Sequence, residues 1–408
     1  MSSAAWRVIA WMCLAHVTSM AGFSAYATLL PRLQAEWALN NSQAGFVSGA
    51  FFAGYMAAVP LLTSLTDRID ARRIYLASCL VAALALAGMA GFAQGLVSAS
   101  LLQLLAGAGI AGTYMPGLRA LTDNVTGKAQ SRAVSFYTAA FGLGTSLSIL
   151  GSGWIADTLG WRWAFGLGAI GPIAAGLMVV IGLPPRTPAH VHDSHVLDFR
   201  PVLRSAEVRP YILGYAVHCW ELFGSRSWLV AFFVFAQGLP AAAGAGSASA
   251  WTPVTIAAIA NLLAPAASVF GNELAIRHGR ERLIWKAMLA SGLLTCMLGF
   301  ASVLPWYALA ALAMLHLCLI MGDSSALTAG VITRADERIR GATMAVHSMM
   351  GFGAGFVAPL VFGAVLDFAG GNSSPRAWGL AFCSLGVGAI VMAGFIRARA
   401  APGTPPRP

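Results

Sequence analysis

Phe141-Gly142-Leu143-Gly144, followed by Asp157 and Gly160, recurs as Phe352-Gly353-Ala354-Gly355, followed by Asp367 and Gly370. The offset is 211 residues at the first element and 210 at the second. Each copy sits in a long apolar run, so the chain reads as one unit used twice. The composition names the solvent of that unit. Of 408 residues, 58% are hydrophobic and 10% are charged, whereas soluble domains carry roughly 25% charge. So few charges cannot solvate the surface of a soluble protein of this length, and lipid must cover most of the outside.

A bilayer core of ~30 Å needs about 20 apolar residues per helix. Twelve such segments are expected: 7–31, 43–65, 74–94, 98–121, 133–154 and 163–183, then 210–235, 250–271, 284–304, 306–332, 341–365 and 376–396. Pro184-Pro185 opens the longest polar stretch, 184–209. The expected organisation is a six-helix bundle over 1–183, a central loop over 184–209, a second bundle over 210–396 and a tail over 397–408. Ala25-Tyr26-Ala27 imitates a signal-peptidase site. The apolar run continues past it to Leu30, and the segment is kept as the first span because removing it breaks the symmetry.

The arginines and lysines orient the chain. Segments on the side of both termini hold 20 of the 25, and the opposite side holds Arg32, Arg162 and Arg376. Both termini are therefore expected in the cytoplasm of a bacterial-type inner membrane. The net charge of +10 reads as a topology signal and an attraction to anionic lipid headgroups, and calls for no nucleic-acid partner. The six cysteines all fall in apolar segments and read as buried small hydrophobes.

The loop after the second segment reads Thr66-Asp67-Arg68-Ile69-Asp70-Ala71-Arg72-Arg73, and its counterpart reads Gly271-Asn272-Glu273-Leu274-Ala275-Ile276-Arg277-His278-Gly279-Arg280. Together they resemble the duplicated G-x-L-A-D-R-x-G-R loop of the major facilitator superfamily of secondary transporters. Gly160-Trp161-Arg162-Trp163-Ala164-Phe165 resembles a further feature of that family. The resemblance implies an all-α fold of two pseudo-symmetric six-helix bundles around a cavity, lined by spans one, four, seven and ten. It implies a gate loop of Asp67, Arg68, Arg72 and Arg73, in which an acid beside arginines forms charge-assisted pairs across the two-helix interface and holds one face closed; the plainer alternative is that these arginines only anchor topology. Thr63 and Asp70 stand where the family usually has glycine, and Ile276 replaces the acid of the second copy. Gln103 and Ile149 stand where drug/proton antiporters often carry arginine and proline.

Charge inside a bilayer costs at least ~2.5–3.5 kcal/mol on insertion scales, so the groups that persist have a task or a partner. Of the 15 acids, two lie deep in a span: Glu221 in the seventh and Asp323 in the tenth. His16, Glu221 and His316 fall about 9–11 residues into their spans, roughly 14–17 Å deep. The family pattern implies that all three face one water-filled space. His218 shares a helix face with Glu221, and Asp323 lies at a depth that His218 and His347 reach. A coupling group must exchange its proton near ambient pH, which a buried carboxyl or a histidine does. Glu221 or Asp323 is the expected proton carrier, with His16, His218 and His316 tuning it or binding substrate. The alternative for each is a structural polar link between helices. Arg226, in the seventh span, is a candidate for an anionic substrate; Arg119 is expected to pair with Asp123, four residues on.

His190, His192 and His195 lack the further ligands a metal requires and read as a solvated loop. No phosphate-binding loop, nucleophile elbow or dinucleotide fingerprint is present, so neither an enzyme nor a cofactor is expected. The reading is a monomeric transporter that moves a small solute, with a proton as coupling ion and lipid around it, favouring uptake of a small organic acid or similar anion. Drug or metabolite efflux is the first alternative. A non-transporting membrane sensor on the same scaffold is the second.

Overall fold

The computed structural model describes residues 3–125, 128–186, 199–242, 251–336 and 339–400. The cluster His190, His192 and His195, most of the central loop and the tail beyond 400 lie outside these residues. Among the described residues every regular element is helical. Among the described residues, nine helices are long and apolar enough to cross a membrane. The expected span one, span seven (Arg209–Gln237) and span nine (Arg280–Leu298) are helical as well.

Two expected spans are not single helices. Span one is Ser3–Ser19 and Ala25–Glu36, separated by a turn at 20–24. Span ten is Trp306–Met321 and Ser324–Arg334, separated at Gly322-Asp323. Hydropathy averaged over about 20 residues does not see such breaks, because the few residues in each barely change the average. Ser148, from span five (Lys128–Leu159), stitches the first break: its hydroxyl accepts from Ser24 N and donates to Ala21 O, each at 3.0 Å. Irregular backbone at membrane depth persists only where protein satisfies its polar groups or where it lines a cavity.

The remaining spans are continuous: Asn41–Leu65, Ala71–Phe92 and Leu96–Asn124, Trp161–Gly182, Pro253–His278, Arg340–Ala369 and Pro375–Ala400, which are spans two, three, four, six, eight, eleven and twelve. Local chemistry sets their ends. Asn40 and Gln43 form a reciprocal capping box at the start of span two, satisfying two amides that the helix leaves open. The repeated glycines Gly160 and Gly370 have φ of +99° and +119°, and stop spans five and eleven where a side chain would be strained. Large apolar side chains such as Phe92, Ile181 and Phe368 point outward, as a lipid-facing surface requires. The six described cysteines are free.

The bundle has a basic end, which holds Arg7, Arg397 and most of the described arginines, and a far end. The halves are joined from the middle to the far end, chiefly by span two against span eleven. A Cβ on Gly45 would sit 2.1 Å from Pro359 O, and one on Gly49 2.2 Å from Phe356 O. Only glycine lets the two backbones approach this closely. At the far end the Asp367 carboxylate crosses between halves. It accepts from Asn41 N (3.0 Å) and Asn41 Nδ2 (2.8 Å), and from Ser42 N (2.8 Å) and Ser42 Oγ (2.6 Å). It thereby caps the positive end of span two.

Candidate functional site

A cavity with about 600 Å³ of open space, counting the part that opens to solvent, lies between the halves. The turn of span one supplies Phe23 and Ser24; span two supplies Ser48, Phe51 and Phe52; span four supplies Gln103. Span seven supplies Phe223 and Arg226, and span eight supplies Asn261. The broken first span therefore forms part of the cavity wall.

Span seven has two chemically distinct faces. His218, Glu221 and Ser225 follow i, i+3, i+7 spacing and point into the second bundle. Arg226 is five residues past Glu221, rotated by about 140° around the helix, and points with Phe223 into the cavity. The Arg226 Nε has no hydrogen-bond partner, and no ion pair reaches the guanidinium among the described residues. A fixed cation without a counter-ion, in a wall of aromatic rings, can hold a carboxylate through charge-assisted bonds.

On the opposite face Glu221 is 2% exposed. It accepts from Ser291 Oγ (2.9 Å) and Thr295 Oγ1 (2.5 Å), both on span nine. His316 joins the same network, with Nδ1 3.1 Å from Thr295 Oγ1 and Nε2 3.1 Å from Ser225 Oγ. One helical turn toward the basic end, His218 Nδ1 lies 2.8 Å from Asp323 Oδ1, and both side chains are almost fully buried. Neither atom has another partner among the described residues. Tyr215 stacks on His347 at 3.8 Å and lies near His218 at 5.7 Å. Asp323 sits at the start of the second half of span ten without capping it through its side chain.

These positions correct part of the expected site. Only Arg226, of the six central candidates, lines the cavity. His16, Glu221 and His316 do not share its water-filled space: each is 2% exposed or less. His16 is in the first bundle, stacked on Tyr137 at 4.5 Å, with neither ring nitrogen hydrogen-bonded. Its facing depends on a rotation about the helix, which a count of residues along the span does not contain.

The Asp67 loop also differs from the expected gate. Asp67 forms no ion pair with Arg68, Arg72 or Arg73 among the described residues. Asp70 acts instead: its carboxylate accepts from Arg72 N (3.0 Å), capping span three, and from Arg186 N (2.9 Å). Arg72 donates to Val180 O (2.9 Å), tying span three to span six. Arg68 and Arg73 are exposed. In the second copy Glu273 pairs with Arg277 one turn on, at 2.9 Å. The expected helical pair of Arg119 with Asp123 is present at 3.0 Å.

The family model of the Major Facilitator Superfamily matches residues 12–350. The chain belongs to that superfamily. Its fold is similar to that of the nucleoside transporter NupG, with a TM-score of 0.79, 14% identity and coverage of 97% of this chain and 100% of that one. It is also similar to a bacterial homologue of the lysosomal transporter Spinster in an inward-facing, unoccupied conformation, with a TM-score of 0.71, 14% identity and coverage of 98% and 96%. A benzoate transport protein of Acinetobacter baylyi is 25% identical over 184 residues, which are 44% of this chain and 38% of that protein. The niacin transporter NiaP of the same organism is 22% identical over 243 residues, 55% of this chain and 54% of that one. The matched regions thus span about a third to a half of these relatives. The superfamily member described here is a multi-pass membrane protein.

Proposed function

We propose that this protein carries a small organic acid anion with an apolar or aromatic body across the inner membrane by alternating access, together with a proton. The observation that carries the reading is Arg226: a guanidinium with no counter-ion among the described residues, facing a cavity walled by Phe23, Phe52 and Phe223. A solute that supplies a carboxylate and an apolar surface satisfies both features. The similarity to proteins named for benzoate and niacin transport supports the same class of solute, and uptake is the direction we propose.

In this reading residues 1–183 and 210–396 rock as two bundles joined by 184–209, with 397–408 as a cytoplasmic tail. The basic end faces the cytoplasm, and the state described is closed at the far end. Glu221 takes and releases the coupling proton, with Ser291, Thr295 and His316 positioning it. His218 and Asp323 form a second proton-sensitive pair at the break of span ten, and His16 tunes the first bundle. Asp67, Arg68, Arg72 and Arg73 form a gate that closes the basic end only in the opposite state. The protein acts as a monomer in contact with lipid.

Counterflow of radiolabelled benzoate or nicotinate into proteoliposomes tests the transport reading. Saturable exchange that Arg226→Ala abolishes is the expected result. Absence of exchange of either acid by the unaltered protein would refute it.

A further inference from the structure

The cavity wall carries three buried polar atoms with no partner: Ser48 Oγ, Arg226 Nε and Asn261 Oδ1. They come from spans two, seven and eight, so both halves contribute. The other hydroxyls of Thr28 and Thr145 are already satisfied by carbonyls of their own helices. The three unpaired atoms differ in what they demand. Arg226 Nε is a donor and takes an acceptor. Asn261 is 2% exposed, and its Nδ2 donates to Ala257 O at 2.9 Å. That bond turns Oδ1 away from its own helix and leaves it as an acceptor with nothing to accept. Ser48 serves either way.

We infer that the substrate has two ends of opposite hydrogen-bonding character: an anionic group for Arg226 and a neutral donor, a hydroxyl or an N–H, for Asn261 Oδ1. This rests on the proposed transport of an organic acid and narrows its class to hydroxy- or amino-substituted acids. An unsubstituted carboxylate offers acceptors only and leaves Asn261 Oδ1 buried and unpaired. A site built to receive a donor rejects the analogue that lacks it, because the polar atom it leaves behind is desolvated for nothing. Asn261 is therefore a specificity-determining residue, and Phe23, Phe52 and Phe223 supply an apolar wall for the body of the solute.

The test uses the full chain in proteoliposomes and compares benzoate with 3-hydroxybenzoate, 4-hydroxybenzoate and 4-aminobenzoate as competitors of labelled-acid counterflow. At least one donor-bearing acid is expected to compete on the order of tenfold better than benzoate. In Asn261→Leu that advantage is expected to disappear, because benzoate no longer leaves an unpaired acceptor behind and competes on a par with the substituted acids. Equal competition by benzoate and all three substituted acids in the unaltered protein overturns the inference, even where the organic-acid reading stands. An Asn261→Leu protein that keeps the preference also overturns it. Failure of every acid to compete removes the organic-acid reading and this inference with it. The matched acids on the unaltered protein decide the matter should the variant not fold.

Discussion

Replacing Asp367 by asparagine is expected to open the far end. The carboxylate accepts four hydrogen bonds from Asn41 and Ser42, two from backbone amides at the start of span two. An asparagine keeps one oxygen for Asn41 but turns an N–H₂ group toward Ser42 N, so one amide bond is lost and the others lose their charge. Bonds to a charged partner contribute about 1.5–3 kcal/mol and neutral ones about 0.5–1.5. A charge at a helix N-terminus adds about 0.3–1 kcal/mol where it is exposed. Half of this bridge is open to solvent, so the lower figures apply, and the substitution costs the closed far end about 2 kcal/mol. At 1.4 kcal/mol per tenfold, this shifts the equilibrium between closed and open states roughly thirtyfold. Spin labels at the exposed Gln94 and Ser373, placed in a cysteine-free background, report that shift as a longer component in the pulsed electron–electron distance distribution. Asp157, the repeat counterpart of Asp367, is exposed and makes no such bridge among the described residues, so Asp157→Asn is the control. An unchanged distribution in both Asp367→Asn and Asp367→Ala would refute the reasoning.

Other perturbations probe the remaining sites. Glu221→Gln is expected to preserve counterflow but abolish accumulation driven by a pH gradient; retained gradient-driven uptake rules Glu221 out as the proton carrier. Gly49→Ala places a methyl 2.2 Å from Phe356 O, and overpacking of this kind costs about 1–3 kcal/mol; the same spin-label pair is expected to move apart, and an unmoved pair contradicts the close-packing account. Arg226→Ala is expected to weaken acid binding on the order of tenfold or more, measured by isothermal titration, whereas the exposed Arg68→Ala should leave that affinity unaltered. Trp228 donates to Pro359 O at 3.0 Å within the second bundle, so Trp228→Phe is expected to lower thermal stability by about 1 kcal/mol in a detergent unfolding series.

The candidate site was partly legible in the linear chain. Deep acids and histidines stand out because charge in lipid is costly, which is why Glu221, Asp323 and His218 could be singled out. Depth along a span follows from counting residues. The direction in which a side chain points does not, and it separated Arg226 from Glu221 on one helix. Asn261 and Ser48 gave no signal, since a polar uncharged residue in an apolar run is unremarkable until its neighbours leave it without a partner. Asp70 stood out only as a departure from glycine, because its role depends on Arg186 being brought back to it from span six.

Composition and repeat spacing alone determined that the chain crosses a membrane many times and is built from two related halves. Hydrophobic burial acts through averages over some 20 residues, so a linear count captures it. Tertiary structure decided the rest: the breaks in spans one and ten, the closure of the far end by Asp367, and the separation of the arginine-lined cavity from the buried acid network. Each of these depends on contacts between residues far apart in the chain. The 2.6–3.0 Å distances at which Asp367 grips span two exist only once the two halves have packed.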